Sequence, residues 1–429
     1  MVTQTGPFGS QLHSYDYVPS GVPVIPTEAI GRRRLWINGV PEVSEETAAR
    51  LVRHRLKAGD ILFARRGVQA TGLSAVVTKR EEGWLCGTGA ILLRVSSAAI
   101  DPEFLSFYLS ANESVLWLKQ HAVGAVMPNL NEGVIRSLPV TLPPIADQRA
   151  IAAILGALDD KIELNRRMNA TLEATARALF QSWFVDFDPV RAKLDGRTPV
   201  GLDKTTAALF PDSFAEAEIG HAPSGWELRS LDKAAHFLNG LALQKYPPRD
   251  GATLPVIKIA QLRKGDSVGA ELCSADLPSA YVVEDGDVLF SWSGSLEVEL
   301  WCGGAGALNQ HLFKVTSAEF PKWFYYLWTR QHLEEFRLIA ADKATTMGHI
   351  QRGHLSGAKV LVPPRPLLEA MTEILAPLVD QIVAQRVQSR TLATLRDTLL
   401  PKLLSGELRL TKVDHDAGLA TASKMEAFA

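Results

Sequence analysis

A long heptad pattern, written twice, is the feature that most constrains this chain. Between Pro143 and Pro189, apolar residues recur at steps of four and three from Ile151 to Trp183. This is the 3.5-residue period of a coiled-coil seam. The pattern returns 220 positions later, beginning at Met371 (151 + 220), again after a pair of prolines. It therefore predicts two long helices, each of which buries one stripe.

The middle of the repeated pattern is polar in both copies. The predicted seam residues are Ile151, Leu155, Leu158, Ile162, Asn165, Asn169, Leu172, Leu179, Met371, Leu375, Leu378, Ile382, Gln385, Ser389, Leu392 and Leu399. A polar layer within a seam fixes the register of two helices. If the helices are antiparallel, we expect Asn165 and Asn169 to face Gln385 and Ser389. The alternative is that the seam rotates and these four side chains face solvent.

The segments that precede the helices also repeat. The β-like runs Val22–Ile25 and Gly59–Phe63 are matched by Leu254–Ile257 and Gly286–Phe290. We interpret this as an internal duplication. It predicts an α+β fold with two tandem-repeat mixed α/β domains separated by two long antiparallel coiled-coil helices. The predicted segments are domain 1 (1–142), first long helix (143–189), linker (190–224), domain 2 (225–362), second long helix (363–405) and C-terminal strand and tail (406–429).

Composition limits the function classes. A chain of 429 residues is too long for one core. It has no 18-residue apolar run and no signal-peptide pattern, which favours a cytoplasmic protein. Cys86, Cys273 and Cys302 are scattered without CxxC spacing, which fits a reducing compartment and argues against disulfides or a zinc site. The net charge of −2 means that any DNA surface must be a local patch.

The order of segments and the motifs at the helix ends resemble a known family. Residues 143–151 read PPIADQRAI, residues 395–406 read LRDTLLPKLLSG, and residues 6–12 read GPFGSQL. Together they resemble the DNA-specificity subunits of type I restriction–modification systems. The second helix departs from the pattern, with Leu367-Leu368 in place of Asp-Gln and with Pro377, which should kink the helix or delay its start.

The resemblance implies a division of labour. The two domains would be target-recognition domains, each reading one half of a bipartite site in double-stranded DNA, and the long helices would be spacers. Two methyltransferase (modification) subunits and motor–nuclease (restriction) subunits would assemble on the chain, with no membrane partner. No Asp/Asn-Pro-Pro-Tyr/Phe motif and no G-x-x-x-x-G-K-S/T motif is present. We therefore expect a non-catalytic chain without cofactor or metal.

Candidate DNA contacts come from charged and polar loop residues. Arg32, Arg33 and Arg34 follow a β-like run, so they form either a charged loop facing DNA or an ordinary solvated face. Arg65 and Arg66 follow an apolar strand, from which a loop can reach a groove. The further candidates are Lys258, Gln261, Arg263, Lys264, Ser293, Asn309, Gln310, His311, Lys343, Thr345 and Thr346.

Two questions stay open at this point. Trp183, Phe184 and Phe187 either pack on a domain or form a docking surface for the methyltransferase subunit. The near-neutral charge also fits a coiled-coil protein-binding scaffold without direct DNA readout. DNA binding that weakens steeply with salt would distinguish the two functions.

Overall fold

The computed structural model describes residues 1–67, 70–124, 128–249, 251–342 and 348–410. The chain divides into two units: unit 1 comprises 1–161 and the segment from 392 onward, and unit 2 comprises 162–391. Each unit combines one mixed α/β domain with parts of both long helices. The predicted α+β class, with two duplicated domains and two long helices, is confirmed.

The domain of unit 1 is built on two small sheets. Its strands are β1 (Val2–Thr5), β2 (Tyr17–Val18), β3 (Val22–Ile25), β4 (Glu42–Val43), β5 (Ile61–Ala64), β6 (Ser74–Val76), β7 (Leu85–Cys86) and β8 (Ala90–Arg94). Its helices are α1 (Glu45–Arg50), α2 (Pro102–Ser110), α3 (Asn112–His121) and α4 (Glu132–Ser137). The main sheet has the order β1-β8-β5-β6 and is antiparallel throughout; the second has the order β2-β4-β3-β7, with β3 and β7 parallel.

The central strand β5 shows why the main sheet is covered on both faces. Its four residues are fully buried, and successive side chains point to opposite faces. Ile61 and Phe63 pack with the helices, whereas Leu62 and Ala64 pack in the core that contains Ile25 of β3. An uninterrupted apolar run is therefore the sequence signature of this strand.

The first long helix, α5, runs from Ile145 to Phe184, and the remaining elements belong to unit 2 until the second long helix. Their helices are α6 (Asp188–Leu194), α7 (Lys204–Leu209), α8 (Leu231–Ala234), α9 (Ile259–Lys264), α10 (Lys322–Gln331), α11 (Leu333–Asp342) and α12 (Arg352–Gly357). Their strands are β9 (Phe214–Ala217), β10 (Gly220–Pro223), β11 (Glu227–Ser230), β12 (His236–Asn239), β13 (Thr253–Ile257), β14 (Leu272–Ser274), β15 (Val282–Val283), β16 (Val288–Ser291), β17 (Val298–Leu300), β18 (Gly306–Leu308), β19 (Leu312–Thr316) and β20 (Lys359–Val362). The second long helix, α13, runs from Arg365 to Ser405.

The duplication is visible in the strand order. The main sheet of unit 2 is β12-β19-β16-β17, which matches β1-β8-β5-β6 strand for strand. The second sheet again contains a parallel pair, β13 and β18, which matches β3 and β7. The counterpart of β12 is therefore β1 at the start of the chain. The pair β11–β20 has no counterpart among the described residues of unit 1.

The two long helices run antiparallel within each unit. In unit 1, Asp159 of α5 pairs with Arg396 of α13 at 2.6 Å, and Ile151 shares a hydrophobic cluster with Leu403. The α5 residue number falls as the α13 number rises. The contacts of the two helices within unit 2 are antiparallel as well: Asn165 of α5 contacts Ser389 of α13, and Glu173, further along α5, contacts Arg386, which comes earlier in α13.

Pro377 neither delays nor ends α13, which is helical from its first residue to its last. The predicted delayed start is wrong. Pro377 is exposed, so water can serve the carbonyl group that loses its intrahelical donor.

Two predicted segments differ from the structure. The supposed linker, 190–224, carries α7, the β9–β10 hairpin and the end of α6, and it buries Val190 and Phe210 in the core of unit 2. Glu407–Leu410 is not a strand, since it has no partner strand among the described residues. The tail after residue 410 lies outside the described residues.

The helices were also compared with the requirements of a membrane span. None of the helices in the described part of the chain combines the length and the apolar character needed to cross a bilayer.

Candidate nucleic-acid interface

The three consecutive arginines of unit 1 form contacts within their own unit, and two of them contact the long helix α5. Arg33 forms an ion pair with Asp159 at 3.0 Å, and its side chain is only 10% exposed. Arg34 donates to the backbone carbonyl of Asp159 at 2.6 Å, and Arg32 donates to the carbonyl of Ser110 at 2.8 Å. Arg33 therefore has an intramolecular role in place of the predicted presentation of its charge to DNA, whereas the exposed Arg32 stays a predicted DNA contact. The sequence showed a charge run but could not show that a carboxylate lies opposite it.

Four predicted residues of unit 2 converge at one end of its main sheet. Ser293 follows β16, and Asn309, Gln310 and His311 form the turn between β18 and β19. Ser293 Oγ lies 3.0 Å from His311 Nδ1, and Gln310 Nε2 lies 3.4 Å from His311 Nε2. Asn309 Oδ1 accepts a hydrogen bond from the His311 backbone amide at 3.2 Å. The turn is thus held in one conformation, as a recognition surface requires.

Two residues that the sequence did not single out complete this cluster. The Trp292 indole donates to Asn239 Oδ1 at 2.9 Å and to the Gln310 carbonyl at 3.2 Å. Its ring lies 5.8 Å from the His311 ring. Asn239, at the end of β12, could have been found by aligning β12 with its duplicate, β1. Trp292 gave no sequence signal beyond its position after an apolar strand.

The other two predicted arginines occupy the equivalent place in unit 1. Arg65 and Arg66 follow β5 as Trp292 and Ser293 follow β16. Arg65 donates to the Leu130 carbonyl at 3.2 Å. The Arg66 side chain is exposed, and no hydrogen bond or ion pair of its guanidinium is found among the described residues.

The backbone makes the same contacts in both units. The first residue after the strand donates its amide to the turn before the last strand: Arg65 to the carbonyl of Gly89 at 3.0 Å, and Trp292 to that of His311 at 3.3 Å. The carbonyl of this first residue accepts a hydrogen bond as well. In unit 1 the Leu130 amide donates to the Arg65 carbonyl at 2.9 Å, and in unit 2 the Ile350 amide donates to the Trp292 carbonyl at 3.0 Å. We call the loop after β5 with residues 87–89 loop site 1. The loop after β16 with residues 309–311 is loop site 2.

A glycine lies against the turn of each loop site. A Cβ atom on Gly6 would lie 2.1 Å from the Gly87 carbonyl oxygen, and one on Gly240 would lie 2.2 Å from that of Asn309. Real Cβ atoms essentially never approach backbone oxygens this closely, so any side chain there would displace the turn. Both glycines follow the edge strand that pairs with the last strand of the sheet, β1 or β12.

The two loop sites differ in chemistry. Loop site 1 presents an exposed guanidinium, which can bind phosphate or the O6 and N7 acceptors of guanine. In loop site 2, the Ser293 hydroxyl and the Asn309 amide are buried, whereas the Gln310 amide and the His311 imidazole are partly exposed. These exposed groups both donate and accept hydrogen bonds and can contact either base edges or phosphate.

The remaining candidates are scattered. Lys258 pairs with Glu271 at 2.6 Å, Lys264 pairs with Asp266 at 2.9 Å, and Gln261 accepts from the Lys258 backbone amide at 3.2 Å. These contacts belong to α9 and its neighbours. Arg263 on the same helix is exposed, without a side-chain partner in the described residues. Lys343, Thr345 and Thr346 lie outside the described residues.

The polar layer of the helix seam is placed inside unit 2. Asn165 is fully buried, and its amide donates to Gln388 Oε1 at 2.8 Å, to Ser389 Oγ at 3.3 Å and to the Gln385 carbonyl at 3.4 Å. Asn169 and Gln385 are buried as well. Every predicted seam residue is buried or partly buried, because the heptad stripe turns toward the partner helix.

The aromatic end of α5 packs in the core of unit 2. Phe184 is 2% exposed and lies within 6.1 Å, ring centroid to ring centroid, of Phe180, Trp226, Trp323, Phe324 and Trp328. Trp183 and Phe187 are also buried in this cluster. Of the two alternatives for these aromatic residues, packing on a domain is the one that the structure has, because their surface is already covered.

Comparison with known proteins gives one consistent group. A family model described as "Type I restriction modification DNA specificity domain" matches residues 16–174. The chain is 25% identical over 403 residues to the type I restriction enzyme HindI specificity subunit of Haemophilus influenzae, covering 82% of this chain and 87% of that one. It is 25% identical over 321 residues to the MjaIX specificity subunit of Methanocaldococcus jannaschii, covering 72% and 70%.

The fold has a solved relative. The crystal structure of the type I restriction–modification S subunit from M. genitalium aligns with a TM-score of 0.56 and 14% identity, covering 96% of this chain and 94% of that one. At this identity the match shows a shared fold.

Proposed function

We infer that this chain, which belongs to the family of type I restriction–modification DNA specificity subunits, is the DNA-recognition subunit of such a complex and reads a bipartite target. The observation that carries the proposal is the duplication of the loop site. Two domains with the same strand order present the same loop pair, held by the same backbone hydrogen bonds, with different side chains. Two halves of a DNA target that differ in base sequence require different side chains at the equivalent positions of the two loop sites.

Each half of the target would be read by its own loop site. In loop site 1, Arg66 would bind phosphate or a guanine edge. In loop site 2, Gln310 and His311 would contact a base edge or a neighbouring phosphate, while the buried Ser293 and Asn309 hold the turn. The domain bounds proposed for the two readers are 1–142 and 225–362.

The chain has no catalytic role of its own in this proposal. Catalysis belongs to partner subunits: two methyltransferase subunits, and motor–nuclease subunits if the system restricts. The two long helices would fix the gap between the two halves of the DNA target. The buried polar layer around Asn165 supports this role, because a seam that cannot slip keeps a constant length.

Fluorescence anisotropy with labelled duplexes tests the proposal. The chain, alone and with its methyltransferase subunit, is titrated with duplexes that carry the methylated motif of its source genome, at several salt concentrations. We expect affinity that falls steeply with salt. Arg66→Ala should weaken binding and reduce the salt slope by about 1 if the guanidinium contacts phosphate.

A matched control is available in the same domain. Arg80 is exposed and lies beyond the far end of β6, and because β5 and β6 are antiparallel it lies at the opposite end of the sheet from Arg66. Arg80→Ala should leave the affinity unchanged. Equal losses for both variants would show that only overall charge matters and would count against loop site 1.

Domain exchange tests the separation of the two readers. Replacing residues 225–362 by the equivalent domain of another specificity subunit should change one half of the methylated motif and preserve the other half. If both halves change, the domains do not read independently. If no DNA binding occurs even with the methyltransferase present, the chain is a protein-binding scaffold instead.

A further inference from the structure

The domain of unit 1 is joined to the long helices through buried charges. Asp159 of α5 accepts from Arg33 of the domain at 3.0 Å and from Arg396 of α13 at 2.6 Å. The Arg33 guanidinium also lies 3.2 Å from the centroid of the Phe107 ring and pairs with Glu103 at 3.1 Å. We call this contact junction 1, with Arg33 as its domain side and Asp159 and Arg396 as its helix side.

Two further observations show that junction 1 is a built contact. Burial of Asp159 opposes its ionisation, but the charge of Arg33 and the hydrogen bond from Arg396 outweigh that effect and lower its pKa. Arg33 also has a φ of 62°, an uncommon conformation for a residue with a side chain. Its backbone amide is held there by a 2.7 Å hydrogen bond to the Ser74 carbonyl on strand β6.

The domain of unit 2 is joined to the helices by ion pairs in which the helix α13 supplies the cations and the domain supplies the anions. Arg386 of α13 pairs with Glu299 of β17 at 3.2 Å and with Glu173 of α5 at 2.7 Å. Arg390 of α13 pairs with Asp285 at 2.6 Å and donates to the Cys302 carbonyl. We call this contact junction 2. Its domain side is anionic, whereas the domain side of junction 1 is cationic.

The duplication shows that the two domain sides have diverged. Glu299 on β17 corresponds to Ala75 on β6, because each lies opposite the second residue of the neighbouring central strand, Leu289 or Leu62. Asp285, directly before the Gly286-Asp287 turn, corresponds to Ala58 before Gly59-Asp60. The two domains therefore present the same surface to the helices with different charges.

The helix sides have diverged in the same way. At the 220-residue offset, Asp159 corresponds to Val379 and Arg396 to Ala176, both of which are buried in the apolar core of unit 2. Conversely, Arg390 corresponds to Ala170 and Glu173 to Ala393. Of the charged residues on the helix sides, Arg386 alone has a charged counterpart, Arg166.

We propose that these charges make the two domain positions non-interchangeable: each domain docks on its own part of the helix pair and is rejected from the equivalent part that serves the other domain. Junction 1 supplies a buried anion for a domain that brings a cation. A copy of the second domain placed there would bring Glu299 to Arg166, the counterpart of Arg386, but would leave Asp285 opposite Ala170 and Asp159 without the cation that Arg33 brings. A copy of the first domain placed on junction 2 would set Arg33 against Val379 and leave Arg386 and Arg390 opposite Ala75 and Ala58. An unpaired or repelled buried charge is strongly unfavourable. The order of the two DNA words along the target is then fixed by docking as well as by the chain order.

The inference is tested by the distance between two spin labels in the full chain, a measurement that needs no DNA. The three native cysteines are buried, so labels can be attached at introduced cysteines. Ala98→Cys labels the domain at an exposed site, and Thr398→Cys labels the exposed face of α13 in unit 1. A docked domain gives a narrow distance distribution, and an undocked one gives a broad distribution.

The decisive variant is Asp159→Val with Arg396→Ala, which gives the helix side of junction 1 the residues found at the equivalent positions in unit 2. In the otherwise native chain, this double substitution should shift the docking of the first domain toward the undocked form by roughly 100- to 1,000-fold, because the buried Arg33 loses Asp159 and keeps only the half-exposed Glu103 as an ionic partner. Adding Arg33→Leu should restore the narrow distribution. The rescue excludes simple misfolding of the helices.

The opposite effect is expected when residues 1–142 are replaced by a second copy of 225–362, labelled at the position of Ala318, the counterpart of Ala98. This copy should be undocked on the native helices and should become docked when Asp159→Val and Arg396→Ala are introduced. If Asp159 and Arg396 only stabilised the helices, their substitution would impair docking both in the native chain and in the chain with the duplicated second domain. The inference is overturned if the copy docks on the native helices, or if the variant leaves the first domain docked.

Junction 2 provides a second, milder test should the first variants fail to fold. Asp285→Arg and Arg390→Asp should each broaden the distance distribution between labels on the second domain and α13 within unit 2, and the double variant should narrow it again. No recovery in the double variant would overturn the role of these charges. A loss of DNA binding with intact docking would contradict the proposed function and leave this inference standing.

Discussion

The polar layer of the helix seam gives the sharpest stability prediction. Asn165 and Gln385 are buried, and three of their side-chain atoms, Asn165 Oδ1 and both polar atoms of Gln385, make no hydrogen bond. Replacing both residues by leucine removes these unpartnered atoms. The layer is proposed to fix register, so its removal should stabilise the helix pair while reducing its specificity.

The expected magnitude follows from the contacts. At about 1 kcal/mol for each unpartnered buried atom, the low end of the usual range, the double substitution gains about 3 kcal/mol. It loses the short hydrogen bond from Asn165 to Gln388 and the two longer contacts to Ser389 and the Gln385 carbonyl, together about 1 kcal/mol. A net stabilisation of about 2 kcal/mol remains before any gain from burying the leucine side chains.

Native-state hydrogen exchange is the suitable assay, because a chain of two units does not unfold in one two-state step. Backbone amides around residues 165 and 385 should exchange about 30-fold more slowly in the Asn165→Leu, Gln385→Leu variant, the factor that corresponds to about 2 kcal/mol. Met168→Leu is the control, since it changes an exposed side chain on the same helix. Faster exchange in the double variant would refute the reasoning and show that the polar layer stabilises the seam.

Three further predictions concern particular side chains. Phe184→Ala should lower the free energy of unfolding of unit 2 by about 3–5 kcal/mol, because it empties the centre of the aromatic cluster; a loss below about 1 kcal/mol in a denaturant titration would contradict this. The pKa of Asp159 is lowered below its ordinary value of 3.8, so its ion pairs stabilise the fold above about pH 4 and are lost as the pH falls through the folded-state pKa. Asp159→Asn should therefore have a lower thermal midpoint than the native chain at pH 7, and this difference should vanish on acidification; a difference that persists well below the folded-state pKa would contradict it. Gly240→Ala should displace the turn of loop site 2 and weaken DNA binding, whereas Gly353→Ala, where a Cβ meets nothing within 4 Å, should not; equal affinity of the two variants would count against loop site 2.

The periodic parts of the sequence were sufficient for the long helices and for the duplication. A seam position such as Leu155 can be predicted because a helix forms its backbone hydrogen bonds within one segment, and the heptad period alone indicates which face of that helix is buried. The main strands were readable for a similar reason: runs such as Ile61–Ala64 are apolar without interruption. The family resemblance rested on short motifs at the helix ends, which the sequence displays directly.

The tertiary structure decided which charges are free and which polar segments are folded. Arg33 and Arg66 are equivalent as residue types, yet one is buried against Asp159 and the other is exposed. That difference depends on a partner 126 residues away along the chain, which no local pattern encodes. The segment 190–224 is polar in composition but folds because a few residues, such as Phe210, are buried by the core of unit 2. Helical period is a property of the chain itself, whereas the role of a charge is set by what the fold places opposite it.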